Sequence, residues 1–182
     1  MTPELDVVTN PTFITDLGDR DMDELRAVRS RCQALENSLS YVRRLIQGRV
    51  DIVGGELQRR REGGDAGNVS ELIGRLPDIL SDGSRVQGGP AAVRPPHSLE
   101  PDPDVTAQLE ARLEEIFPAE ALAEVSTRDE SALNDVLSSL NSLEDEVSDS
   151  RRQLHKIIDT VQTEVTRRYT TGEATVDGLL KS

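Results

Sequence analysis

LRAVRSRCQALENSLSYVRRLI, residues 25–46, is the stretch that decides the fold. Leu25, Val28, Cys32, Leu35, Leu39, Val42 and Ile46 recur at alternating steps of three and four, the spacing of a helix whose apolar seam faces another helix. Just upstream, Asp21 or Asp23 offers a carboxylate to the free N–H groups of the first turn. Downstream the helix extends to about Arg61. Gly54-Gly55 is its weak point, where it ends or kinks, and Gly63-Gly64 is the firmer stop, because each helical Gly costs ~1 kcal/mol relative to Ala.

A second seam follows the same rule: Leu133, Val136, Leu140, Leu143, Val147, Ser150, Leu154, Ile157 and Val161. Its helix starts near Asp129 and frays after Arg168, where Tyr169-Thr170-Thr171-Gly172 reads as a stop. Either helix, at ~40 residues, would be ~60 Å long and unstable without burying its seam on a partner. Residues 21–61 hold 9 basic and 6 acidic side chains, residues 129–168 hold 5 and 9, so charge favours pairing the two unlike helices with each other.

Composition narrows the rest. The 182 residues include two Tyr, two Phe and no Trp, with 35% apolar and 30% charged, too little large-ring material for a big enzyme core. Twenty-one basic residues against 34 acids give a net charge of −13, which disfavours a nucleic acid as the main partner. Cys32 is the single cysteine, and His97 and His155 are the two histidines, so an intrachain disulfide, a cysteine zinc site and a multi-histidine metal site are all excluded. Residues 1–10 lack the basic and apolar regions of a signal peptide, and no run approaches the ~20 apolar residues of a membrane span. The expected location is the cytoplasm, with no membrane partner.

The expected organisation is a flexible leader (1–20), a coiled-coil helix (21–61), an acidic connector (62–128), a second coiled-coil helix (129–168) and a flexible tail (169–182). The connector carries 13 acids and 5 basic residues. Two short amphipathic helices are expected in it, around Ser70–Leu80 and from Asp104 to Phe117, the latter stopping before Pro118. Between them, Gly88-Gly89-Pro90 through Pro95-Pro96 to Pro101 and Pro103 reads as an extended linker without fixed structure. The short helices most simply fold back on the coiled coil. Docking on a partner protein is the alternative, favoured for Ser70–Leu80.

Aligning the two seams at an offset of 108 reveals a repeat in the polar residues as well. Glu36 falls on Glu144, Ser40 on Ser148, Arg43 on Arg151, Arg44 on Arg152 and Asp51 on Asp159, while Gln47 meets His155. At ~100° per residue each set forms one stripe beside its seam. Salt bridging alone explains alternating charges, but it gives no reason to repeat a Ser in the same slot. The residue types suit a guanine nucleotide. A guanidinium can donate twice to guanine O6 and N7, and a carboxylate can accept from guanine N1 and N2. Two copies on paired helices imply a ligand that is itself two-fold, and a cyclic dinucleotide meets that demand.

On these residues the chain resembles RsiG, the actinobacterial anti-sigma factor family also called AmfC, whose motif E-x3-S-x2-R-x3-Q-x3-D occurs once on each helix of an antiparallel coiled coil. Glu36, Ser40, Arg43, Gln47 and Asp51 match the first copy. Glu144, Ser148, Arg151, His155 and Asp159 match the second except at the fourth position. The resemblance implies an all-α fold, a long antiparallel two-helix coiled coil with one or two short helices in an extended connector. It also implies a protein that holds cyclic di-GMP as a dimer and in that state sequesters the sporulation sigma factor WhiG, acting as a switch. The ten motif residues would bind the ligand, with Arg44 and Arg152 as secondary charge contacts.

Two rival readings exist. In one the chain is a coiled-coil scaffold or adaptor and the stripes are solvated salt bridges. The other is an enzyme, and against it the sequence has no phosphate-binding Gly-rich loop, nucleophile elbow or metal cluster. No catalytic function is expected.

Overall fold

The computed structural model describes residues 3–63 and 101–174. The order is α1 (Pro3–Val8), a 3₁₀ turn (Pro11–Ile14), α2 (Met22–Arg61), α3 (Pro103–Ile116), a 3₁₀ segment (Ala119–Thr127) and α4 (Glu130–Thr171), with no strand among the described residues. The expected helix at 70–80 and the linker up to residue 100 lie outside them.

Asp21 is the cap of α2. Its Oδ1 accepts the N–H groups of Asp23 and Glu24 at 2.9 and 2.8 Å, and Glu24 Oε2 accepts the N–H of Asp21 at 2.8 Å, a reciprocal arrangement that satisfies donors the helix itself cannot. The helix does not end at Gly54-Gly55. Val53 and Leu57 are buried on either side of them, and the buried Glu56 carboxylate accepts from Arg59 Nε at 2.8 Å and Arg60 Nε at 2.7 Å. Packing beyond the glycines outweighs their cost of ~1 kcal/mol each. The stop comes at Gly63, whose φ of 72° is a left-handed value.

The two long helices pack together along the expected seams. Leu25, Cys32, Leu35, Leu39, Val42 and Ile46 are buried on α2, as are Leu133, Leu140, Leu143, Val147, Leu154, Ile157 and Val161 on α4. Val28 and Val136 are half-buried. Each fully buried Leu or Val contributes ~1.5–3 kcal/mol, so the seams dominate the stability of the pair.

The chain forms two compact units. Counting described residues, the first holds 3–41, 101–108 and 147–174, and the second holds 42–63 and 109–146. In the first, Arg26 Nη2 donates to the Tyr169 hydroxyl at 2.7 Å and Arg29 Nη1 to Gln162 Oε1 at 2.6 Å. These contacts also carry α4 past the expected fraying point at Arg168, as far as Thr171, before Gly172 turns the backbone with φ 77°.

The leader is not loose as expected. Leu5, Val8 and Leu17 are buried, and Glu4 pairs with Arg31 at 2.5 Å. The buried Arg168 donates to the carbonyls of Leu17 (2.9 Å), Gly18 (3.0 Å) and Arg20 (2.5 Å) while pairing with Glu164 at 2.7 Å. Leu5 and Val8 form too short a pattern to show a period in sequence, and the backbone carbonyls that Arg168 reaches leave no sequence signal.

A second correction concerns Pro101 to Pro103. Asp102 Oδ1 accepts the N–H groups of Asp104 and Val105 at 3.0 and 3.1 Å, and Pro103 is the first residue of α3. An Asp cap followed by Pro starts a helix, since Pro has no N–H to leave unsatisfied there. The helix ends before Pro118 as expected, and Val105, Leu109, Leu113 and Phe117 are its buried face.

Candidate functional site

Each unit holds one half of the repeated motif's charged core. In the second unit, Arg43 Nε donates to Glu144 Oε1 at 2.7 Å. In the first, Arg151 Nε donates to Glu36 Oε1 at 2.7 Å. The two bonds join the same atoms at the same distance with the roles of the helices exchanged, since Glu36 and Glu144 are repeat equivalents, as are Arg43 and Arg151. Each arginine of one copy therefore engages the glutamate of the other.

Around Glu36 further motif groups gather. Ser40 Oγ donates to the same Oε1 at 2.7 Å, and His155 Nε2 lies 3.4 Å from it. Burial pushes the Glu36 carboxyl upward, but the hydrogen bonds from Arg151 and Ser40 outweigh it and hold the group below its ordinary value. It is therefore ionised at neutral pH.

The remaining motif residues are placed as follows. Gln47 and Asp51 lie one and two turns beyond Arg43 on α2, half-buried and exposed respectively. Ser148 is half-buried one turn from Glu144, and Asp159 is exposed one turn beyond His155. Arg44 is exposed, and Arg152 is exposed and pairs with Asp149 on its own helix. The structure thus brings together Glu36, Ser40, Arg151 and His155 in one unit and Arg43 with Glu144 in the other.

Residues outside the motif determine where α3 goes. Ser38, fully buried, accepts the N–H of Asp102 at 2.7 Å. Arg49 Nη1 donates to the carbonyl of Leu113 at 3.0 Å and also to that of Phe117, and its other Nη pairs with Glu114. A cation at the carbonyl end of a helix satisfies acceptors that lack intrahelical donors. Arg112 Nη1 and Nη2 reach the two oxygens of Glu146 at 2.8 Å each. Ser38 is about 200° round α2 from Glu36, and Glu146 about 200° round α4 from Glu144, so α3 is held on faces turned away from the motif stripes. Sequence reasoning missed these residues because they lie outside the repeat: at the offset of 108 Ser38 meets Glu146, an unlike pair that carries no signal.

A protein-family model described as RsiG-like matches residues 11–80 and 119–182. The chain belongs to the RsiG-like family. That family suggests an anti-sigma-factor-type regulator, with a sigma factor as the kind of partner. Both long helices with both motif copies lie within the RsiG-like match, whereas α3 falls between its two parts. A comparison with curated proteins gives no match. No helix among the described residues is long and apolar enough to cross a membrane.

Proposed function

We propose that this RsiG-like chain is a cyclic di-GMP-dependent anti-sigma factor that sequesters a WhiG-type sigma factor in the cytoplasm. Its long helices form an antiparallel coiled coil. The partners Tyr169, Gln162 and Glu36-bound Arg151 descend along α4 as Arg26, Arg29 and Glu36 ascend along α2, which favours that direction. The ligand is held as a dimer by the two motif copies. The protein is a switch and not a catalyst: the motif presents hydrogen-bonding and charged groups for recognition, and it needs no reacting group.

The observation that carries this reading is the reciprocal pairing of Arg43 with Glu144 and Arg151 with Glu36. Each pair sets a guanidinium beside a carboxyl group, and together these match the acceptors on one edge of guanine and the donors on another. The arginines supply positive charge that ligand phosphates require. If ligand tightens sigma binding, sigma must tighten ligand binding by the same factor.

The scaffold reading has one observation in its favour, since the same two pairs are the interhelical salt bridges it would use. Calorimetric titration with cyclic di-GMP, with and without the sigma factor, separates the two. We expect saturable binding of two ligand molecules per chain, tightened by sigma, and at least a tenfold loss in the Arg43→Ala, Arg151→Ala double variant. Absence of any ligand binding in either titration favours the scaffold and sinks the proposal.

A further inference from the structure

We propose that His155 makes the affinity of the second half-site proton-dependent, so that an anionic cyclic dinucleotide binds more tightly as pH falls; this rests on the ligand reading above. His155 stands where the first copy has Gln47, a side chain that cannot titrate. The second half-site therefore has a variable charge that the first lacks.

The geometry supports the role. His155 Nε2 is 3.4 Å from Glu36 Oε1, an oxygen that already receives Ser40 Oγ and Arg151 Nε at 2.7 Å each. That separation is long for a neutral hydrogen bond but within the range of an ion pair. The imidazole is about half exposed, so protons exchange freely with solvent. Facing it is Glu36 from α2, and on its own helix Arg151, Arg152 and Asp159 lie about one turn away, with Lys156 next in sequence. Glu36 and Arg151 cancel as a pair. Of these groups the imidazole is the one whose charge ordinarily changes between pH 5 and 8, and protonation adds one positive charge beside the carboxylate–guanidinium pair. A phosphodiester keeps its single negative charge throughout that range, and guanine does not titrate between pH 6 and 8. Ligand and proton then bind cooperatively at this half-site, each raising affinity for the other.

The test is calorimetric titration of the full chain with cyclic di-GMP at pH 6 and pH 8 and constant ionic strength, for the natural chain, His155→Gln and, as control for the other imidazole, His97→Gln. We expect the natural chain and His97→Gln to bind about three- to tenfold more tightly at pH 6, and His155→Gln to bind with the same affinity at both. Equal affinity of the natural chain at both pH values, weaker binding at pH 6, or a pH dependence that persists in His155→Gln overturns the role of His155 and leaves the ligand reading standing. No binding by any chain at either pH overturns the ligand reading and this inference with it.

Discussion

The Ser38 hydroxyl accepts the backbone N–H of Asp102 at 2.7 Å, fixing the start of α3 to a fully buried point on α2. Ser38→Ala removes that acceptor and leaves a part-buried N–H without it, a loss of about 1–3 kcal/mol. Urea denaturation should show this loss, and Ser40→Ala, which removes one of several bonds on a half-buried carboxylate, should cost about 0.5–1.5 kcal/mol. Equal effects would mean that the Ser38 contact does not hold α3.

Phe117 closes the buried face of α3, with no exposed surface. Phe117→Ala should cost about 3–5 kcal/mol through lost burial and the cavity left behind. The Arg112–Glu146 pair between α3 and α4 is more than one-third exposed on both sides, so Glu146→Gln should cost only about 0.2–1 kcal/mol despite its two parallel bonds. Melting curves of the two variants would overturn this ranking if the charge substitution proved the more damaging.

Glu164 receives hydrogen bonds from Arg167 and Arg168, which pull its carboxyl down to about 2. A folded-state value below the unfolded one gives stability that is present above about pH 4.3 and lost as pH falls toward 2. The difference in melting temperature between the natural chain and Glu164→Gln should therefore be largest near neutral pH and shrink steadily from pH 4.5 to pH 2. A difference that is constant with pH would show that the ion pairs contribute nothing.

Burial pushes the Cys32 thiol up to about 11, and the residue has no exposed surface in the seam of α2. Because the thiolate is the reactive form, a disulfide reagent at pH 8 should modify Cys32 only after denaturant unfolds the chain. Prompt stoichiometric labelling of the native protein would contradict the packing of this seam.

Much of the long-helix architecture was legible because its determinants are local and periodic. The three-four spacing of Leu25 to Ile46 and Leu133 to Val161 corresponds to the buried residues, with half-buried Val28 and Val136 as the departures. The run of α4 past the expected end at Arg168 and the continuation of α2 through Gly54-Gly55 to the expected Arg61 have one reason. Tertiary contacts, through Tyr169 at one site and Val53, Glu56 and Leu57 at the other, overrode local propensity. In the motif, the offset of 108 matched Glu36 with Glu144 and Arg43 with Arg151 as equivalents, but not the crossed pairs Glu36–Arg151 and Arg43–Glu144 that the structure shows. It gave no hint that His155 would approach the carboxylate of Glu36, because a distance across helices depends on side-chain direction, not on spacing alone.

Arg168 reaches the leader through the carbonyl oxygens of Leu17, Gly18 and Arg20. Such a grip recognises the route of the backbone and is indifferent to what most side chains along it are. Residues 18 and 19 are therefore free to vary in character so long as the path is kept, whereas the Arg168 guanidinium has no such latitude, since a lysine in its place would lack the planar fork that serves several acceptors at once.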